Sequence, residues 1–243
     1  MVLKMPLIPP FSIINMAKKN INLSPNPLIM NLSELPLPDF FQQKYNKFPN
    51  LTPIQEKAIQ NGLLEGRSLL TCAPTASGKT LVATMAICNT LNKGKSIYLV
   101  PLKALANEKY KEYQDLLKDT NYKVIMSTGD IDSVSNYLSD YDLLILTTEK
   151  MDSLLRHKVS WLTEIKTVVI DEIHLLNDPK RGPTLEIILT LLKTFLKPQL
   201  IGLSATIGNP KELADWLGAD LIIDDWRPVE LKKGIHYQKT EFY

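Results

Sequence analysis

The eight residues APTASGKT, from Ala73 to Thr80, constrain this chain more than any other stretch. They sit between an apolar run, SLLTCA, and a helix-like stretch from Leu81 to Leu91. A triphosphate is held where successive main-chain N–H groups curl around it at a helix N-terminus, since unpaired donors and the helix dipole both favour negative charge. Strand, short loop and helix, in that order, are what such a cradle needs. In this reading Ala73, Pro74, Thr75, Ala76, Ser77 and Gly78 form the loop, and Gly78 lets the backbone come close to the phosphates. Lys79 neutralises the β- and γ-phosphates, and the Thr80 hydroxyl coordinates Mg²⁺. Ala73 stands where the usual first glycine would be, so the strict G-x-x-x-x-G-K-[ST] spacing fails at one position.

The rest of the chain supplies a frame for such a loop. Beyond Ser68 short apolar runs alternate with helix-like stretches: SLLTCA, SIYLV, KVIMS, LLILTT, TVVID, LIGLSAT and LIID, with Leu81–Leu91, Ala104–Leu117, Leu185–Leu196 and Glu212–Leu217 among them. Strands that are continuous apolar runs, separated by helices, predict a mainly parallel sheet covered on both faces, a doubly wound α/β fold. Residues 1–38 carry seven of the sixteen prolines and several asparagines, which suits extended chain better than packed elements.

A second motif falls where this fold would use it. Thr167 to Ile170 form a β-branched run that ends in Asp171-Glu172-Ile173-His174, about ninety residues beyond the P-loop. Open α/β sheets bind ligands outside the C-terminal ends of their strands, so these carboxylates are expected beside the phosphates. Asp171 would hold Mg²⁺ through water, and Glu172 would polarise the attacking water as general base. Taken alone an acidic pair is a common helix cap and His174 a common structural residue; the P-loop upstream gives the pair its catalytic meaning.

Composition excludes several classes. The 28 Lys+Arg balance 26 Asp+Glu, a net charge of +2, so any case for nucleic acid rests on local sites. Cys72 and Cys88 form no C-x-x-C pair, which argues against a zinc site or disulfide framework and for reduced, buried thiols. No run approaches the ~18 apolar residues of a membrane span, and Pro6, Pro9 and Pro10 break the segment from Lys4 to Ile14 that imitates a signal peptide. The expectation is a cytoplasmic protein with no membrane partner.

Taken in order, these residues resemble the superfamily 2 DEAD/DEAH-box-like helicases, in the Ski-two-like branch. APTASGKT and DEIH resemble the family's nucleotide motifs, and Gln55 in LTPIQ the glutamine that reads adenine. The resemblance implies a RecA-like motor domain using ATP and Mg²⁺, with His174 and the segment Ser204, Ala205 and Thr206 coupling hydrolysis to strand movement. It further implies that Pro101 and Lys103 in PLKALA, the segment Ser127, Thr128 and Gly129, and Thr147, Thr148 and Lys150 in TTEK grip a nucleic-acid backbone. RGPTLE from Arg181, ATIGNPKELADWLGA from Ala205 and WRPVEL from Trp226 resemble most the archaeal replication-fork helicases, which tips the expected partner towards single-stranded or forked DNA. From the residues alone, Ser127, Thr128, Thr147 and Thr148 at strand ends could offer hydroxyl or N–H donors to phosphates, with Lys150, Arg156 and Lys158 as nearby charge. The same residues also suit helix caps and a solvated face.

Two other classes fit part of the pattern. A small-molecule kinase would need an acceptor site and a closing lid, and no lid-like insertion is present. A hydrolysis-silent nucleotide-dependent binding subunit would keep Lys79, Asp171 and Glu172 and lack turnover. Three segments are expected: a flexible lead-in over 1–30, with Met16 or Met30 as alternative starts, the first motor domain over 31–228, and a linker over 229–243. The linker would lead towards a second RecA-like domain, on another chain or outside this sequence, and without it the chain is expected to be a poor ATPase and no helicase.

Overall fold

The computed structural model describes residues 30–129, 135–229, 235–237 and 240–242. In chain order the elements are α1 (Asp39–Tyr45), α2 (Pro53–Gln60), β1 (Leu69–Cys72), α3 (Lys79–Thr90), β2 (Lys95–Val100), α4 (Lys103–Leu117), β3 (Val124–Ser127), β4 (Leu143–Thr147) and α5 (Thr148–Arg156). They continue with β5 (Ile165–Ile170), α6 (Gly182–Leu191), β6 (Gln199–Ser204), α7 (Pro210–Leu217), β7 (Asp220–Ile223), β8 (Ile235–Tyr237) and β9 (Thr240–Phe242). The expected lead-in, apart from Met30, lies outside the described residues, as do 230–234, 238–239 and 243 of the expected linker. Within that linker β8 and β9 pair antiparallel.

Seven strands form one sheet in the order β3-β4-β2-β5-β6-β1-β7. Every pairing in it is parallel. The apolar runs have this outcome because alternate side chains of one strand serve two cores. In β2, Tyr98 and Val100 pack with Val82, Met85 and Tyr113 from α3 and α4 on one face. Ile97 and Leu99 pack with Met151, Leu185 and Ile188 from α5 and α6 on the other. Each such side chain, fully buried, contributes about 1.5–3 kcal/mol. Both cysteines are free and buried within these layers.

Parallel pairing has a positional consequence. All seven strands deliver their C-terminal ends to one rim, and the P-loop, DEIH, SAT, PLKALA, STG and TTEK segments all follow such ends.

One polar cluster lies inside the apolar layers. Thr90 Oγ1 and Thr167 Oγ1 are 2.7 Å apart, and Thr167 Oγ1 donates to Gln199 Oε1 at 3.1 Å. Gln199 Nε2 donates to the Leu63 and Arg67 carbonyls at 2.7 and 2.9 Å. One amide thus ties the loop before β1 to β5 and to α3, at the pole opposite the rim. Gln199→Ala leaves these buried acceptors unmatched, which costs roughly 1–3 kcal/mol. The expected outcome in thermal unfolding is a Tm lower by about 2–4 °C per kcal/mol; an unchanged Tm would show that the cluster carries no stability.

Candidate nucleotide site and nucleic-acid rim

The P-loop is held from both sides before it begins to curl. Its first residue donates from Ala73 N–H to the Ser204 carbonyl at 3.3 Å, and the Asp224 N–H donates to the Cys72 carbonyl at 3.1 Å. Ala76 adopts φ 66° and Gly78 φ 97°. A left-handed non-glycine residue costs of the order of 1–3 kcal/mol and is kept where the surroundings over-determine it. At Gly78 the left-handed φ favours glycine, and a Cβ there would also lie 2.3 Å from Gln55 Nε2, displacing its bond to the loop.

Gln55 is explained by a signal that the sequence carries but that the family resemblance overshadows. Thr52, Pro53 and Gln55 form a capping box with proline at the helix start. Gln55 Oε1 accepts from Thr52 N–H at 2.9 Å, and Nε2 donates to the Gly78 carbonyl at 3.1 Å. Thr52 Oγ1 donates to the Ser77 carbonyl at 2.8 Å. Gln55 is 4% exposed. The structure therefore joins it to the P-loop itself, while one amide hydrogen and one oxygen lone pair are not used in those bonds.

Lys79, Thr80, Asp171 and Glu172 line one cleft of about 420 Å³, with Thr75, Ala76, Gly78 and Ala205 around them. That volume lies within the range of small-molecule sites. Lys79 Nζ donates to the carbonyls of Ala73 at 2.5 Å and Pro74 at 2.8 Å. Burial lowers the ammonium from its ordinary value, while the nearby Glu172 and Asp171 charges raise it back in part. The Ser77 hydroxyl, 1% exposed, is an orphan among the described residues.

Asp171 follows β5, its N–H bonded to the Leu99 carbonyl at 3.0 Å. Its Oδ2 accepts from the Tyr98 hydroxyl at 2.9 Å and its Oδ1 from the Glu172 N–H at 3.0 Å. Burial is the largest influence on this carboxyl and raises it above the ordinary range; the Tyr98 hydroxyl lowers it, the Glu172 charge raises it, and the Lys109 ammonium lowers it. Glu172 sits at φ 52°, ψ 43°, which turns its side chain out of the strand line into the cleft. Its Oε2 lies 3.2 Å from His174 Nδ1, an ion-pair distance without hydrogen-bond alignment.

The donor set suits Mg²⁺. One hydroxyl and one carboxylate are hard oxygen ligands, and Mg²⁺ binds through one or two carboxylates plus phosphates while keeping several waters. Among the described residues no cluster of three or more His, Cys, Asp or Glu could cage a metal.

Of the residues expected to couple hydrolysis to movement, Ser204 is fully buried and bonded through its carbonyl to the P-loop, Ala205 lines the cleft, and Thr206 is exposed. The expected backbone-gripping residues lie along the same rim, past the ends of β2, β3 and β4. Lys103 is exposed, and its Nζ lies 4.0 Å from where a Cβ on Gly129 would stand. Pro101 and Thr148 share a small void with Asp171, Glu172 and Arg181. Ser127 and Thr128 are half-buried. Thr147 and Lys150 are buried at 2% and 4%, and Thr147 Oγ1 caps α5 by accepting the Lys150 N–H at 3.4 Å. Three residues that sequence reasoning passed over support this cleft: Lys109 lines it, Thr52 bonds to the Ser77 carbonyl of the P-loop, and Tyr98 bonds to Asp171 from below. Thr52 was findable from T-x-x-Q; the other two look like an ordinary strand core residue and a helix-surface lysine.

Residues 52–213 match the DEAD/DEAH box helicase family. The chain is 50% identical over 218 residues to the ATP-dependent DNA helicase Hel308 of Pyrococcus horikoshii, a match covering 88% of this chain and 30% of that protein. It is 54% identical over 194 residues to the Hel308 of Methanocaldococcus jannaschii, covering 76% and 16%. Among solved structures, the DUF1998 helicase MrfA bound to DNA and AMPPNP aligns with a TM-score of 0.68 at 26% identity, over 78% of this chain and 29% of that one. The chain therefore spans no more than about a third of the length of these relatives. Among the described residues no helix is long and apolar enough to cross a membrane.

The raised Asp171 carboxyl generates a stability prediction. A carboxyl raised by folding favours its protonated form, so its contribution to stability is present below the ordinary carboxylate range, near 4, and is lost as pH rises through the raised value. Asp171→Asn removes the buried charge. In metal-free buffer at pH 7.5 the variant is expected to melt above the wild type, with the gap closing as pH falls. A variant that melts lower at pH 7.5 would overturn the assignment.

Proposed function

We propose, from the premise that the chain belongs to the DEAD/DEAH box helicase family, that it is the ATP-binding first motor domain of a DNA helicase. The observation that carries this reading is the convergence of Lys79, Thr80, Asp171 and Glu172 on one cleft. The phosphates of ATP replace the Ala73 and Pro74 carbonyls as partners of Lys79, and the N–H groups of the first turn of α3 receive them. Thr80 and Asp171 would hold Mg²⁺, which would supply positive charge against the β- and γ-phosphates. Glu172 accepts the proton of the attacking water, and its left-handed backbone sets where that carboxylate stands. Gln55, already bonded to Gly78, offers its free amide valences to adenine.

Among the described residues no arginine is one of those lining the cleft, although the Arg227 charge reaches Lys79 and Arg181 shares a neighbouring void with Asp171 and Glu172. An arginine brought to such a site is worth about 10³ to 10⁵ in phosphoryl-transfer rate. A second RecA-like domain docked across the rim would supply it, and would grip the same strand of nucleic acid. Support for DNA over RNA comes from the relatives, whose names describe DNA helicases. Lys103, exposed beside Gly129, is the clearest cation for a phosphate, and such contacts position a strand without reading its sequence.

Two outcomes are expected. In calorimetry Lys79→Ala loses Mg-ADP binding, while Glu172→Gln keeps binding and loses whatever turnover the wild type shows; equal affinity in wild type and Lys79→Ala would refute the cradle. Single-stranded DNA binds with strong salt dependence, and Lys103→Ala lowers the slope of log K against log salt by about 1. An unchanged slope would remove Lys103 from the interface.

A further inference from the structure

Two phenol hydroxyls lie in the core directly beneath the nucleotide cleft. Tyr98 and Tyr113 are both 0% exposed. Burying a hydroxyl is costly unless it is bonded, and for packing alone phenylalanine would serve. Each hydroxyl has an aim. Tyr98 donates to Asp171 Oδ2 at 2.9 Å, a bond strengthened when the acceptor is ionised. Tyr113 Oη lies 3.1 Å from Thr84 Oγ1, and Thr84 Oγ1 in turn donates to the Thr80 carbonyl at 3.0 Å. A threonine hydroxyl has a single hydrogen; Thr84 spends it on Thr80, so Tyr113 must be the donor of its pair. The two rings touch, centroids 5.8 Å apart and tilted by 57°.

These contacts form one continuous line through the core. It runs from Thr80 at the start of α3, through Thr84 one turn on, to Tyr113 of α4, across to Tyr98 of β2, and up to Asp171 at the end of β5. Its two ends are the two residues that the proposed function assigns to Mg²⁺. Lys109, 6% exposed, sits at the side of this line: it lines the cleft, pairs with Glu112 at 2.8 Å and lies 6.0 Å from the Tyr98 ring centre.

We infer that Tyr98 is a positioning residue for the magnesium carboxylate, and that Tyr113 and Thr84 brace it against the helix carrying Thr80, so that buried hydroxyls set the span between the two metal-facing groups. The inference rests on the reading of Thr80 and Asp171 given above. Neither tyrosine touches nucleotide. Each acts through the group it holds, and without them Mg²⁺ itself would have to order Asp171 on binding. Partners of this kind typically carry about 10- to 100-fold in metal affinity.

The experiment is a Mg²⁺ titration of fluorescent mant-ADP binding to the wild type, Tyr98→Phe and Tyr113→Phe, starting in EDTA, with the Tm of each variant measured alongside. For Tyr98→Phe the Mg²⁺-free affinity stays at the wild-type value, and the Mg²⁺ concentration giving the half-maximal gain rises about tenfold. Tyr113→Phe moves the midpoint the same way by less, since the Asp171 bond remains. A Tyr98→Phe midpoint equal to the wild type overturns the brace alone, as does an equal loss of affinity with and without Mg²⁺, which is what a merely structural tyrosine would give. A wild type whose mant-ADP affinity does not respond to Mg²⁺ overturns the metal assignment and the brace with it.

Discussion

The parallel pairing of β1 with β6 fixes the nucleotide rim, because its register sets Cys72 opposite Ser204 and lets the Ala73 N–H reach the Ser204 carbonyl. On the other side β7 pairs with β1 so that Ile223 stands opposite Cys72. Asp224, 8% exposed, then bonds back to the Cys72 carbonyl and forms an ion pair with Lys57 of α2 at 2.8 Å. The last residue before the P-loop is thus gripped from both flanks. A phosphate cradle needs N–H groups aimed at a fixed point before the ligand arrives, and a loop anchored at one end only would have to be ordered by binding. Slipping this register by one residue would also turn Leu69 and Thr71 into the layer now filled by Leu70 and Cys72, so the two cores and the cradle enforce the same alignment.

Much of this was legible because the determinants are contiguous in the chain. The strands of a sheet covered on both faces are continuous apolar runs, and β1, β2, β4, β5 and β6 fall within the runs SLLTCA, SIYLV, LLILTT, TVVID and LIGLSAT or within a residue or two of them. The P-loop and DEIH segments each carry their chemistry within eight residues, so spacing alone finds them. The short α1 and α2 escaped the alternation; α2 is held by its Thr52 cap and Gln55 together with Ile54 and Ala58, which are one turn apart and fully buried. Tyr98 and Tyr113 were invisible for a different reason. Their partners lie 73 and 29 residues away, and a tyrosine within an apolar strand or on an amphipathic helix has no local mark to separate it from ordinary core. Lys150 shows the reverse: a cation in a motif-like segment that folding buries.

The site departs from what stability alone would select. Ala76 and Glu172 hold left-handed backbone, Asp171 keeps a carboxylate where burial opposes its charge, and Ser77 leaves a buried hydroxyl orphaned among the described residues. Each costs free energy, and each lies within or against one cleft. Among the described residues the other two left-handed non-glycine residues, Lys158 and Lys197, follow α5 and the last turn after α6, where a left-handed residue merely ends a helix. Strain at the cleft has no such structural excuse. On the proposed reading it is offset when phosphate oxygens and Mg²⁺ meet the donors and the carboxylate, and binding energy spent this way fixes Glu172 for the water it must polarise.

The same geometry bears on how hydrolysis could move a strand of DNA. Asp171 is bonded through its N–H to the Leu99 carbonyl, two residues before the Pro101 segment expected to face the backbone, and Pro101 and Thr148 share a void with Asp171 and Glu172. On the proposed reading, metal site and gripping rim are therefore neighbours across one strand pairing, β2 with β5. That pairing runs from Ser96 to Leu99 without a break and is buried on both faces, which makes it a stiff connection and not a switch. Packed cores are bistable or rigid, seldom gradually deformable. On the proposed reading, a domain whose ATP carboxylate and strand grip are so joined would transmit nucleotide state by moving as one body. On the proposed reading the stroke therefore belongs to the cleft between this domain and a second one, where the rim is open, and not to any displacement inside the sheet.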